Sequence, residues 1–137
     1  MHPAVMEIDL DNFKYNVKSI KSKLSNDTKI MPVVKANAYG TYINERLDIL
    51  NEFDILAIAL ADEGEKIREI GYKKEIFILN QPDISELDKI IEYNLTVGVS
   101  NLEFIRYSFS TSVIMSSFVR NMPISKKLTN YVKCGII

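Results

Sequence analysis

The most informative segment for chemistry is Met31–Gly40, which reads MPVVKANAYG. It places Lys35 directly after an apolar run, and the carboxyl end of a buried strand is where parallel α/β folds hold their active sites. An amine at such a place can form a Schiff base with a carbonyl compound. The alternative is that Lys35 extends from a strand end into water, as most lysines do. Spacing alone favours this second interpretation.

Three other features could carry chemistry, and each has a structural interpretation that we prefer. Cys134 could be a nucleophile, but no histidine motif accompanies it, so a free thiol is favoured. The acidic cluster Asp62–Glu65 could bind a metal, but acids are also favoured in the first turn of a helix. The basic residues after position 104 could contact nucleic acid, but five charges over 34 residues are sparse, so no nucleic-acid partner is predicted.

The helices and strands that must position Lys35 can be predicted from two alternating patterns of apolar residues. Apolar runs of strand type alternate with stretches in which apolar residues recur every three or four positions, as on one face of a helix. The predicted strands are Val5–Leu10, Ile30–Val34, Ile55–Leu60, Glu75–Leu79 and Leu95–Val99. The predicted helix faces are Phe13, Val17, Ile20 and Leu24; Ile43, Leu47 and Leu50; and Leu87, Ile90 and Ile91.

Strands that alternate with helices predict an α/β fold with parallel strands. About five βα units are visible, whereas a closed (β/α) barrel has eight units and roughly 250 residues. We therefore predict a partial (β/α) TIM-type barrel, with a small open sheet as the alternative. Gly71 is expected to end one helix in a left-handed conformation, and Asp11 to cap the first helix.

Composition indicates a single soluble domain. The chain has 137 residues, 47% of them hydrophobic, with a net charge of −1. One cysteine and one histidine exclude a disulfide framework and make a zinc site unfavourable. No apolar run is long enough for a membrane span, and the amino terminus lacks a signal-peptide pattern, so a cytoplasmic location without membrane contact is predicted.

Charge is distributed unevenly, and this suggests a boundary. Residues 1–103 hold 12 basic and 18 acidic side chains, a net charge of −6, whereas residues 104–137 hold five basic side chains and no acid. We therefore divide the chain into a barrel portion, residues 1–107, and a divergent Ser-rich basic tail, residues 108–137. The tail is either unrelated to the barrel or a remnant of a sixth βα unit.

The sequence resembles the amino-terminal part of alanine racemases, which are fold-type III pyridoxal-phosphate enzymes. Three matches carry the resemblance: Glu7–Asp11 (EIDLD), Asn16 with Val17, and Val33–Gly40 (VVKANAYG), in this order. The later strands also resemble those of the family, so the likeness covers roughly residues 2–107.

The resemblance implies a cofactor, a substrate and two site residues. Lys35 would hold pyridoxal 5'-phosphate and move the α-proton of alanine on one face. Tyr39 matches the tyrosine that reaches the cofactor phosphate. Asn37 and Gly40 also match, and we expect them to shape the turn after the strand.

The sequence also departs from the family pattern. Thr41 and Tyr42 stand where the family has His-Gly. The last barrel strands and the carboxy-terminal domain, which provides the second base from a partner subunit, have no counterpart. We therefore expect an N-terminal fragment that does not racemise alanine by itself, because racemisation requires proton carriers on both faces.

Two alternatives to a racemase fragment remain open at this stage. One is a non-catalytic gene remnant, and the other is a pyridoxal-phosphate-binding module without racemase activity. A truncated barrel would also leave strand edges and apolar faces open, so we expect self-association through the open barrel edge. The tail could instead cover that edge through Val113–Met115 and Phe118–Val119.

Overall fold

The computed structural model describes residues 4–41, 47–98 and 103–104, together with the backbone of residues 131–134. Helical segments and strands alternate along it, as expected. The helical segments are α1 (Leu10–Lys21), α2 (Lys35–Tyr39), α3 (Leu47–Leu50), α4 (Ala61–Glu69) and α5 (Leu87–Glu92), with a 3-10 turn at Ile84–Glu86. The strands are β1 (Lys29–Pro32), β2 (Ile55–Ile58), β3 (Glu75–Ile78), β4 (Thr96–Val97) and β5 (Tyr131–Cys134).

Every strand pairing in the described residues is parallel. One ladder has the order β2-β3-β4, and a second joins β5 to β1. A parallel bridge between Val33 and Ala57, with the amide of Val34 donating to the carbonyl of Ala57 at 2.8 Å, connects the two ladders. The predicted α/β fold with parallel strands is confirmed, and the arrangement is consistent with a partial barrel. The number of five βα units stays a prediction.

The strand predicted over Val5–Leu10 is not formed. Residues 4–9 lie outside helices and strands, and Leu10 already begins α1. Val5 and Met6 are 85% and 57% exposed. A strand requires a pairing partner as well as a suitable sequence, and one edge of β1 is paired with β5, in a register from Lys29 opposite Tyr131 to Pro32 opposite Cys134.

The cap of the first helix also differs from the expectation. Asp9, and not Asp11, caps α1 by accepting from the amides of Asp11 and Asn12 at 3.0 and 2.9 Å. Asp11 instead lies in the first turn, where its negative charge interacts favourably with the positive end of the helix dipole. The left-handed Gly71 after α4 is confirmed by its φ of 104°.

The apolar tail segments 113–115 and 118–119, expected as covers for the open edge, lie outside the described residues. The described part of the tail is β5, whose backbone pairs with β1. The domain boundary at residue 107 and the origin of the tail stay predictions.

The core lies on both faces of the sheet, as parallel strands require. Between the sheet and the helices, alternate strand residues such as Ile58 and Ile78 pack with Val17 of α1 and Ile67 of α4. The opposite face buries a second cluster, namely Met31, Ile55, Ala57 and Phe77. These four residues are at most 9% exposed, so this face of β1, β2 and β3 is buried. The expectation of exposed apolar faces concerned the first and fifth predicted strands, and it stays a prediction. In the described part of the chain, no helix has the length and apolarity to span a membrane.

Tyr72 follows α4 and links it to the segment before β2, so a substitution at Tyr72 reports how much this link contributes to the free energy of unfolding. It is fully buried, and its hydroxyl donates to the carbonyl of Phe53 at 3.0 Å. Replacing Tyr72 by Phe leaves that carbonyl without this donor, so we expect the free energy of unfolding to fall by about 1 kcal/mol in urea titrations. The matched control is Tyr15→Phe, at a tyrosine 68% exposed, which should change the stability by less than about 0.5 kcal/mol.

The same residue predicts a pH dependence. Burial raises the pKa of Tyr72, because the phenolate would lose its hydration. The pKa of Tyr72 in the folded state therefore lies above its unfolded value of about 10. The stability that neutral Tyr72 provides is complete below pH about 10, the unfolded value, and is lost as the pH rises from there through the folded-state pKa. Alkaline unfolding should thus be less steep for Tyr72→Phe, and an identical profile would contradict this assignment.

Candidate active site

Lys35 lies at the carboxyl end of β1, as predicted. It is the first residue of α2, and its side chain is half-buried. The structure brings it together with Tyr39: the Lys35 Nζ lies 5.8 Å from the centre of the Tyr39 ring, which is within cation–π range. Tyr39 remains 40% exposed. An amine and a phenol are therefore held side by side at an accessible edge of the sheet.

The turn that carries these two residues is left-handed. Residues 36–39 all have φ between 51° and 57°, and Gly40 follows with φ of 78°. The amide of Ala38 donates to Val34 O at 2.9 Å, and the amide of Gly40 donates to Ala36 O at 2.8 Å, which closes the turn. A left-handed conformation costs non-glycine residues roughly 1–2 kcal/mol each, so the surrounding structure must hold it. The expectation that Asn37 and Gly40 shape the turn is confirmed by these angles.

Glu63 provides such support from the neighbouring loop. Its Oε1 accepts from the amide of Ala36 at 2.5 Å, and its Oε2 accepts from the amides of Ala59 and Leu60 at 2.8 and 3.1 Å. Ala36 follows β1, whereas the other two residues follow β2. One carboxylate thus joins the loops at the carboxyl ends of two adjacent strands.

The acidic cluster Asp62–Glu65 divides into two groups in the structure. Glu63 binds the loop amides, whereas Asp62 and Glu65 both pair with Lys89, each at 2.6 Å. Hydrogen bonds from Lys89 lower the pKa of Asp62 and of Glu65. The sequence analysis correctly expected the cluster at the start of a helix, but it did not identify Glu63 as a residue of the candidate site. The available signal was an acid in the third helical position after a strand, where side chains reach back to loop amides.

Among the described residues, no other candidate feature adds to this site. The side chains of Cys134 and of the basic residues after position 104 lie outside the described part of the chain. The described residues contain no cluster of three or more histidine, cysteine, aspartate and glutamate side chains suited to a metal. A cavity of about 370 Å³ lies at the opposite edge of the sheet, near the start of β1 and β2. It is lined by Lys29, Asp54 and the Lys21–Glu52 ion pair, which has an N–O distance of 2.8 Å. We place the site at the Lys35 edge because that edge carries the half-buried amine.

Parallel strands connected through helices place the chain in the α/β class, whose active sites lie at the carboxyl edge of the sheet, and this is the edge that carries Lys35. The comparisons with known proteins are more specific. The sequence model described as "Alanine racemase, N-terminal domain" matches residues 8–113. The chain belongs to this family.

Individual relatives agree with that assignment. The chain is 37% identical to the alanine racemase of Carboxydothermus hydrogenoformans over 105 residues, which cover 75% of this chain and 28% of the relative. It is also 37% identical to the alanine racemase of Aquifex aeolicus over 109 residues, which cover 77% of this chain and 32% of the relative. Its fold superposes on a solved alanine racemase of Clostridium difficile 630 with a TM-score of 0.70, at 31% identity over 75% of this chain and 30% of the solved one. The chain therefore spans less than a third of the length of these relatives.

Gly40 offers a direct test of the left-handed turn. Among the described residues, and apart from the two chain neighbours of Gly40, no atom lies within 4 Å of the position that a Cβ would occupy there, so substitutions report backbone strain without a clash. We expect Gly40→Ala to lower the free energy of unfolding by about 1 kcal/mol. Gly40→Asn should cost less and Gly40→Val more, because Asn tolerates φ above zero and β-branched residues do not. Urea unfolding measures the series, and a stabilising Gly40→Ala would show that the turn is not left-handed in solution.

Proposed function

We propose that the chain provides the lysine-bearing part of a pyridoxal-phosphate-dependent amino-acid racemase site, with alanine as the substrate. The observation that carries the proposal is the amine of Lys35, which stands beside Tyr39 on a left-handed turn at the carboxyl edge of the sheet. Membership of the alanine racemase family supports both the cofactor and the substrate.

The described residues fit the two ends of this cofactor. Pyridoxal phosphate offers an aldehyde, which needs a primary amine, and a phosphate, which needs hydrogen-bond donors. Lys35 provides an amine that is half-buried and therefore reachable from solvent. Tyr39 provides an exposed phenol on the same turn. We assign Lys35 to the aldehyde and Tyr39 to the phosphate.

The proposed mechanism separates what the cofactor supplies from what the chain supplies. When bound, pyridoxal phosphate would withdraw electrons from the α-carbon of the amino acid and so acidify its α-hydrogen. Lys35 would then remove and return a proton through Nζ on the face that it occupies. The ring of Tyr39 would keep Nζ near the turn, and its hydroxyl would donate to the phosphate. A complete racemisation requires a second proton carrier on the opposite face, and Lys35 is the carrier that we assign among the described residues.

Cofactor capture tests the assignment of Lys35. Purified chain is incubated with pyridoxal phosphate and reduced with borohydride, and the modified lysines are located by peptide mass. We expect one dominant adduct at Lys35, accompanied by a visible absorbance band before reduction. Lys35→Ala should lose both signals. Lys29→Ala, which removes an exposed lysine at the other end of β1, should keep them.

A second arm of this experiment tests Tyr39. Tyr39→Phe should weaken the capture of pyridoxal phosphate at Lys35 about tenfold, the loss expected for one hydrogen bond to a charged group, but should leave the capture of pyridoxal unchanged. Tyr15→Phe serves as the control. Adducts spread evenly over the surface lysines would overturn the proposed function.

We also propose that the chain self-associates through the open barrel edge and that it acts in the cytoplasm. Among the described strands, β4 and β5 each pair on one side only, and unpaired parallel edges favour association with another chain. The single cysteine fits a reducing compartment. Sedimentation should therefore show concentration-dependent association at tens of micromolar, and a monomer throughout would contradict it. Recovery in an extracytoplasmic fraction would contradict the location.

A further inference from the structure

The amide of Ala36 belongs to the peptide bond that follows Lys35. Its hydrogen bond to Glu63 Oε1, at 2.5 Å, therefore acts on the backbone of the lysine itself. The turn's own hydrogen bonds use the amides of Ala38 and Gly40, so they begin two residues later. Glu63 thus holds the point at which the chain changes from the extended β1 into the left-handed run.

The other oxygen of Glu63 fixes the carboxylate in place. Oε2 accepts from the amides of Ala59 and Leu60, just before α4 begins at Ala61. Two bonds on one oxygen, together with the positive end of the α4 dipole, hold the carboxylate in a single orientation. The amide of the Lys35–Ala36 peptide therefore donates to a carboxylate whose position is fixed.

From this geometry we propose that Glu63 is a positioning residue for Lys35. It holds the left-handed turn in register with the loop after β2, and so sets the direction from which the amine meets a carbonyl carbon. This inference rests on the proposed function for its chemical consequence. Its structural part, the support of the turn, stands independently of the cofactor.

The test compares Glu63→Gln with Glu65→Gln. Glutamine keeps the shape of the side chain but removes its charge, and its amide NH₂ group turns a donor toward a backbone donor. Glu65 lies in the same first turns of α4, but its carboxylate pairs with Lys89 and accepts from the Tyr93 hydroxyl at 2.8 Å, instead of bonding to the loop amides that Glu63 binds. The two variants therefore make the same chemical change, one at the turn and one away from it.

Two readouts are measured for each variant, with circular dichroism confirming that it is folded. Hydrogen exchange follows the amides of residues 36–40. Capture of pyridoxal phosphate at Lys35, relative to capture at Lys29, follows the reactivity of the amine. We expect Glu63→Gln to accelerate exchange in the turn and to reduce relative capture about tenfold, the effect of one charge-assisted hydrogen bond, with both readouts unchanged in Glu65→Gln. Should Glu63→Gln not fold, Glu63→Asp, which keeps the charge but is too short to reach both loops, replaces it.

The outcomes separate this inference from the proposed function. Unchanged exchange in the Glu63 variant overturns the inference, whatever happens to capture. Faster exchange with unchanged capture also overturns it, because Glu63 would then serve only stability. If the unaltered chain captures no cofactor at Lys35 but exchange still accelerates in Glu63→Gln, the proposed function fails and the support of the turn by Glu63 is upheld.

Discussion

The carboxyl ends of the parallel strands lie at one edge of the sheet. The amino termini of the helices lie there too, and their first amides have no hydrogen-bond partner within the helix. Two glutamates bind these amides in successive loops. Glu63 accepts from its own loop and from Ala36 in the preceding loop, and Glu86 accepts from Asp83 at 2.8 Å and from Ala61 at 3.3 Å. Each glutamate connects one βα loop to the loop before it. The edge that carries the lysine is therefore held by carboxylates that bridge loops, in addition to the core beneath it.

This support explains how four left-handed residues persist beside Lys35. The apolar core ends below the turn, where Val34 and Ala38 are buried. Above it, Tyr39 and Gly40 are exposed, so packing alone does not fix the turn. Hydrogen bonds therefore have to offset the conformational cost, which concentrates strain next to the amine proposed to react. Rigid support of this kind keeps a lysine in one orientation and limits the entropy lost when it meets a partner.

The sheet itself depends on which strands find partners. The β2, β3 and β4 strands pair in chain order, and each is linked to the next by a helix packed on the same face. At β1 the order changes, because the distant strand β5 pairs with it, while residues 4–9 remain unpaired although their sequence has strand character. Burial on both faces then follows from alternation along each strand, with Leu56 and Ile58 toward the helices and Ile55 and Ala57 on the other side.

Much of this protein could be predicted from local sequence. The spacing of apolar residues along the chain predicted β1 to β4 and the buried faces of α1 and α5, because this spacing reflects burial directly. The segment that ends in Lys35 also predicted the edge at which the site is proposed, since a strand end is a local feature. The sequence could not determine what depends on contacts between distant residues. These are the pairing of β1 with β5, the left-handed sense of the turn and the bond from Glu63 to Ala36, 27 residues away. A strand partner or a hydrogen-bond acceptor is selected by proximity in the folded chain, and only the tertiary structure establishes that proximity.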